Sequence, residues 1–197
     1  MHKIFLENNI FYIEDFLSHD EIDALKKDCL RKDAWGGEGE TSDFWMYKMK
    51  YPSSQKAKEV FQNVNNRISL TLNDKNNTVV QTKVIQRLVP SLSKISLPEH
   101  SDSKGDFETD SHITKGIVVY INDDYLGGEI EYTKKNIIFK PKAGMMIVHP
   151  GTEEYSHRVL QVKESPRYFI SVFAYDNDVK WRQTDESKKY TYLNHIV

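Results

Sequence analysis

The chain has 197 residues, of which 27 are Lys or Arg and 29 are Asp or Glu, so its formal net charge is −2. This length suggests one domain, and 39% hydrophobic residues are enough for a sizeable core. The balanced charge gives no signature for nucleic acid or an anionic membrane. A single cysteine excludes an intrachain disulfide and any multi-thiolate site, so a metal would need His, Asp and Glu ligands.

The N-terminal sequence lacks the apolar region of a signal peptide, and no stretch approaches membrane-spanning length. We therefore expect a cytoplasmic protein with no membrane contact.

Two helices are predicted ahead of the main run of strands, and residues 10–13 are predicted to form a short strand before the first helix. Ser18 and Glu21 have the capping-box spacing that marks a helix start, and Cys29 lies on the apolar stripe that follows. Cys29 is therefore predicted to be a core residue. A second helix is predicted from about 54 to 72. Between the helices, residues 35–51 mix glycines with large aromatics, which suits either a lid over substrate or a loop packed on the core.

From residue 78 onward, short apolar runs alternate with turn residues, which predicts strands. The predicted strands are 78–89, 113–122, 128–132, 137–139, 145–149, 157–162 and 167–175. The pattern predicts a mostly β fold with supporting N-terminal helices, a jelly roll. We expect a single domain over 1–197, with helical support and the candidate lid loop in 1–77, the jelly-roll core in 78–176 and a tail in 177–197.

One short motif could bind a metal. In an extended segment the side chains of His100 and Asp102 project to the same side, so both can reach one cation. With a third ligand from elsewhere, this is the facial triad of non-haem Fe(II) oxygenases. The motif alone is weak, as the reversed Asp110-Ser111-His112 shows. The stretch His19-Asp20-Glu21 is rejected because helix capping explains it.

Downstream residues strengthen this interpretation. His157 begins one predicted strand and Arg167 the next, with a turn that predicts a hairpin between them. Arg167 and Ser171 share one face of the last strand, where a guanidinium and a hydroxyl could hold a carboxylate. A five-carbon diacid could then chelate the metal at one end and pair with Arg167 at the other.

The sequence resembles the prolyl 4-hydroxylase-like branch of the Fe(II)/2-oxoglutarate-dependent dioxygenases. The resemblance covers most of the chain and is carried by an ordered set of segments: 11–18, His100-Ser101-Asp102, 119–130, 141–148, His157-Arg158-Val159 and 167–172.

The resemblance implies a double-stranded β-helix in which His100, Asp102 and His157 are the catalytic iron ligands. It also implies that Arg167 binds the distal carboxylate of 2-oxoglutarate, assisted by Ser171, with Fe(II) as cofactor and O2 as the second cosubstrate.

Four features of the sequence carry further expectations about the site. The family often has a tyrosine about ten residues before the His-x-Asp motif, but this sequence has Leu88-Val89-Pro90 there, so another residue must contact the cosubstrate. Tyr120 is predicted to face away from the site, because relatives place a tyrosine at 119, which is valine here. His149 is predicted to be a structural or rim histidine. The segment Pro90–Glu99 is predicted to be a loop.

These observations favour an Fe(II)- and 2-oxoglutarate-dependent hydroxylase that releases succinate and CO2. A peptidyl proline is the family-level expectation for its substrate, while free amino acids and other peptide or small-molecule substrates stay open. Nucleic acid is not favoured, and nothing in the sequence requires a dimer. The alternatives are a non-catalytic jelly-roll metal- or ligand-binding module and a structural domain that holds Zn²⁺ or Mn²⁺.

Overall fold

The computed structural model describes residues 2–35, 46–49, 52, 54–72, 79–103 and 112–175. The helices are α1 (His19–Cys29) and α2 (Gln55–Leu72). The strands are β1 (Ile4–Glu7), β2 (Ile10–Ile13), β3 (Met46–Lys48), β4 (Val79–Leu88), β5 (Ile95–His100), β6 (Ile113–Tyr120), β7 (Leu126–Gly127), β8 (Ile130–Tyr132), β9 (Ile137–Phe139), β10 (Met146–Pro150), β11 (His157–Leu160), β12 (Val162–Lys163) and β13 (Arg167–Tyr175).

Helix α1 begins where the sequence predicts. The Ser18 backbone N–H donates to Glu21 Oε2 at 2.9 Å, and the Glu21 N–H donates to Ser18 Oγ at 3.4 Å, which completes the capping box. Leu25 and Cys29 are buried on the inner face of the helix. The predicted core position of Cys29 is therefore confirmed. Burial also raises the pKa of its thiol to about 12, so the thiol stays protonated at neutral pH.

Two antiparallel sheets form the jelly roll. The larger sheet has the strand order β1-β2-β10-β6-β13-β4-β3, and the smaller has the order β5-β11-β8-β9. Strands β12 and β7 pair separately. The mostly β fold with N-terminal helices is confirmed.

The core has two layers, one on each side of the larger sheet. The outer layer joins that sheet to the helices and includes Leu25, Val64 and Val119. The inner layer joins the two sheets and includes Phe169 of β13 and Tyr132 of β8. Side chains alternate across a strand, so successive residues in the middle of β6 and β13 face the two layers in turn. The candidate site lies on the inner side.

Three expectations about the strands change. The segment predicted as a loop before His100 contains β5, which pairs with β11 at the edge of the smaller sheet, where Pro98 is tolerated. Strands β11 and β13 do not form a hairpin, because they belong to different sheets and β12 lies between them. The N-terminal segment supplies not only the predicted strand β2 but also β1 and β3 to the larger sheet, in addition to both helices.

The predicted lid and tail fall mostly outside the described residues, which leave out 36–45, 50, 51 and 176–197. At the start of the lid segment, Trp35 is buried, stacks on Tyr168 with ring centroids 5.8 Å apart, and donates its indole N–H to the Cys29 carbonyl at 3.0 Å. This residue therefore packs on the core. Neither α1 nor α2, the helices of the described part, is long and apolar enough to cross a bilayer.

Candidate functional site

Three potential metal ligands converge at one end of the smaller sheet. His100 is the last residue of β5 and pairs with His157, the first residue of β11, while Asp102 follows two residues after His100. One ligand atom from each of the three lies within 4.8 Å of the others. The pairing of β5 with β11 therefore brings together His100 and His157, which are 57 positions apart in the chain.

The hydrogen bonds of the two imidazoles leave the same nitrogen of each ring for a metal. His100 Nδ1 lies 2.8 Å from the Pro98 carbonyl oxygen, and His157 Nδ1 lies 3.2 Å from that of Tyr155. A carbonyl can only accept, so each Nδ1 carries the proton. In the neutral imidazole, Nε2 then has a free lone pair, which is the form that binds a metal.

Electrostatics keep two of these groups in their metal-binding forms. Burial lowers the pKa of His157 to about 3, so its imidazole is neutral at physiological pH. Burial alone would raise the pKa of Asp102, but the hydrogen bond from His149 and the neighbouring imidazoles hold it at about 2. The site therefore offers a carboxylate and a neutral imidazole without first losing a proton.

His149 lies inside the site and not at its rim. Its side chain is 1% exposed, and its Nε2 lies 2.9 Å from Asp102 Oδ2. Its Nδ1 lies 2.9 Å from the Tyr132 hydroxyl oxygen. Strand alternation carries the missed signal, because His149 is two residues after Ile147, which belongs to the inner layer.

A second group of side chains surrounds Arg167, the first residue of β13. Arg167 is 1% exposed, and its Cζ lies 5.0 Å from the ring centres of both Tyr120 and Phe169. Within the described residues, Nε and Nη1 of Arg167 and the hydroxyls of Tyr120 and Tyr125 are buried without a hydrogen-bond partner. A buried guanidinium without a counter-ion is costly, so this group of donors fits an anionic ligand.

Tyr120 therefore faces the site, contrary to the prediction. It stands opposite Phe169 of β13 in the inner layer, whereas Val119 stands opposite Ile170 and packs toward the helices. Burial raises the pKa of the Tyr120 hydroxyl above its usual value, against the opposing effect of Arg167, so the hydroxyl keeps its proton and can donate. The expectation was wrong because position 119 was assigned to the inner face.

Ser171 lies on the same side of β13 as Arg167 and Phe169. It is partly buried and stands opposite Val118 of β6, a residue that packs against the inner layer. The strand thus presents Arg167 and Ser171 to the same interior space.

The open side of the three-ligand cluster is polar. The His100 side chain is 35% exposed. It borders a cavity of about 460 Å³, which is large enough for part of a substrate. The other lining residues are Glu99, Ser101, Lys134, Glu153 and Ser156.

Comparison with known proteins finds a family model that matches the part of the chain holding these residues. Residues 93–175 match the family model of the 2OG-Fe(II) oxygenase superfamily. This segment contains both the three-ligand cluster and the Arg167 group. No curated protein matches the sequence.

Solved structures share the fold at low sequence identity. A viral collagen prolyl hydroxylase from Paramecium bursaria Chlorella virus-1, in its 2OG complex, is 18% identical with a TM-score of 0.63, covering 86% of this chain and 96% of its own. A prolyl-4-hydroxylase from Pseudomonas putida is 15% identical with a TM-score of 0.58, covering 86% and 93%. A Trichoplax adhaerens prolyl hydroxylase, in complex with a hypoxia-inducible factor oxygen degradation domain peptide fragment, is 12% identical with a TM-score of 0.67, covering 94% and 87%.

The residues present fit the cofactor and cosubstrate of this family. Two imidazole nitrogens and one carboxylate are the donor set that suits non-haem Fe(II), and the unpartnered guanidinium suits a carboxylate. Residues 93–175 therefore resemble the 2OG-Fe(II) oxygenase superfamily in sequence, and the chain shares the fold of prolyl hydroxylases.

Proposed function

We propose that the protein hydroxylates a C–H bond in a peptidyl proline, or in a related peptide or amino acid, while 2-oxoglutarate is converted to succinate and CO2. One observation carries this proposal. The inner face of the larger sheet holds a buried Arg167 with two unpartnered guanidinium nitrogens, and the same jelly roll holds the His100, Asp102 and His157 cluster. A metal site and a carboxylate site in one interior are what a chelating diacid requires.

The roles of the residues follow from their chemistry. His100, Asp102 and His157 would hold Fe(II) through three atoms, which leaves coordination positions for the cosubstrate and dioxygen. Arg167 would bind the distal carboxylate of 2-oxoglutarate, with Tyr120 and Ser171 as further hydrogen-bond donors. The bound iron supplies the activation of dioxygen that couples decarboxylation of 2-oxoglutarate to hydroxylation of the substrate.

The substrate class rests on two supports. The fold resembles that of a prolyl hydroxylase in complex with a peptide fragment. The cavity beside His100 is polar and contains both signs of charge, including the Lys134–Glu153 ion pair at 3.3 Å. Such a surface suits a peptide backbone and polar side chains better than a purely apolar molecule.

The test is a panel of proline-containing peptides, each paired with a peptide in which alanine replaces the proline. We expect incubation with Fe(II), 2-oxoglutarate and ¹⁸O2 to add one ¹⁸O atom to a proline peptide and none to its alanine partner. Succinate should form in equal amount with the product. His157→Ala, which removes one proposed ligand, should give neither product.

The outcomes separate the parts of the proposal. Labelled product from the alanine peptides would contradict the proline assignment but not the hydroxylase. Full succinate formation by His157→Ala would contradict the metal site.

A further inference from the structure

His149 is a buried residue for which the proposed chemistry has no role. It lies in β10, next to the three-ligand cluster, with its ring centre 4.5 Å from that of His157. Both of its nitrogens have a partner: Asp102 Oδ2 at Nε2 and the Tyr132 hydroxyl at Nδ1, each at 2.9 Å.

The partners fix the direction of both hydrogen bonds. An ionised carboxylate only accepts, so Nε2–H of His149 donates to Asp102. In the neutral imidazole, Nδ1 then accepts, and the Tyr132 O–H donates to it. Tyr132 is fully buried in the inner layer, which holds this donor in place. The two hydrogen bonds therefore run in one direction, from Tyr132 through His149 to Asp102.

This chain leaves one oxygen of Asp102 for a cation. Oδ2 is taken by His149, whereas Oδ1 faces His100 Nε2 at 3.9 Å. We propose that His149 is a positioning residue, which holds Asp102 so that it binds the metal through Oδ1 alone. Keeping the carboxylate monodentate preserves an open coordination position. The inference rests on the proposed function, because it assumes the metal centre formed by His100, Asp102 and His157.

An independent observation supports this inference. Gly116 of β6 lies opposite His149 of β10 in the larger sheet. A Cβ at Gly116 would lie 1.9 Å from Asp102 Oδ2 and 2.4 Å from His149 Nε2. The sheet therefore leaves space for this hydrogen bond at a position where a side chain would block it.

The test measures Mn²⁺ affinity, because Mn²⁺ binds without redox chemistry and needs no turnover. Calorimetric titration of the full chain compares wild type with His149→Asn, His149→Gln and His149→Phe. A Gln amide can reach the position of Nε2, whereas an Asn amide is one methylene too short and Phe has no donor. We expect His149→Asn and His149→Phe to bind Mn²⁺ about 10- to 100-fold more weakly. His149→Gln should recover most of the affinity.

Two further readouts separate positioning from a general structural role. The visible spectrum of bound Co²⁺ should change in His149→Asn and resemble wild type in His149→Gln. Thermal unfolding of the metal-free variants shows which of them are folded. His19→Asn, at an exposed histidine of α1, is the matched control and should change neither affinity nor spectrum.

The outcomes distinguish the role of His149 from the existence of the metal centre. Equal affinity in folded His149→Asn and His149→Gln, both matching wild type, would overturn the role of His149 and leave the metal centre intact. If His149→Phe does not fold, the Asn and Gln pair still decides. Wild-type protein that binds no Mn²⁺ would contradict the metal centre itself, and with it this inference.

Discussion

At the scale of single residues, Arg167 shows how burial prepares a site for its ligand. Its guanidinium is inside the jelly roll, between Tyr120 and Phe169, without an acidic partner among the described residues. The unpaired buried charge destabilises the folded state, and a bound carboxylate would offset part of this destabilisation. Removing the charge should therefore weaken ligand binding without weakening the metal-free fold.

We predict that Arg167→Met raises the KM for 2-oxoglutarate at least about tenfold, because one charge-assisted hydrogen bond contributes about 1.5–3 kcal/mol. The metal-free variant should be no less stable than wild type in urea. Arg167→Lys should recover part of the affinity, since it keeps the charge but loses the planar fork. A wild-type KM in Arg167→Met would show that the anion binds elsewhere.

The residues that the sequence predicts and those that it misses differ in a physical way. His100 and Asp102 were predictable because two metal-binding side chains occur at a spacing that places them on the same side of an extended segment. Tyr120 was placed on the wrong face, and the contact of His149 with Asp102 was missed. Both depend on which face of a strand turns inward, and this is fixed by pairing with distant strands. An error of one position in the assignment of a strand face moves a side chain from the inner layer, which contains the site, to the outer layer.

At the scale of secondary-structure elements, the ends of the strands position the site, while the helices support the opposite side of the larger sheet. Helix α1 and its capping box were predictable, because the signals lie within four residues. Strand β5 was not, because Pro98 and the polar residues around it indicate a loop until pairing with β11 supplies the hydrogen bonds.

This separation predicts opposite effects for two substitutions. Ser18→Ala removes the helix cap and should lower the free energy of unfolding by about 1 kcal/mol without changing Mn²⁺ affinity. Gly116→Ala places a methyl group against Asp102 and His149 and should weaken Mn²⁺ binding at least about tenfold. Urea unfolding and calorimetric titration of both variants check this. Unchanged Mn²⁺ affinity in Gly116→Ala would contradict the packing described at β6.

At the scale of the whole molecule, the buried side chains of the three-ligand cluster make the free energy of unfolding depend on pH. The pKa of His157 falls from 6.5 to about 3 on folding, so between these values the unfolded state binds the extra proton. Stability from this group is therefore lost as pH falls from about 6.5 toward 3. The pKa of Asp102 falls from 3.8 to about 2, so its contribution is lost only at lower pH.

We predict that metal-free wild type loses more stability than His157→Phe when urea unfolding is compared near pH 7 and near pH 5. The additional loss in wild type, relative to His157→Phe, cannot exceed about 1.4 kcal/mol per pH unit for one proton. Equal losses in the two proteins would mean that His157 is not held neutral by burial.

The most direct test of the central claim, that one interior binds Fe(II) and 2-oxoglutarate together, is an anaerobic titration followed by visible absorption. Adding 2-oxoglutarate to the Fe(II)-loaded wild type should produce a weak charge-transfer band that saturates at one equivalent. Arg167→Met should need more 2-oxoglutarate for the same band, and His157→Ala should give none. A folded wild-type protein that shows no band, or a band of equal strength in His157→Ala, would contradict the site.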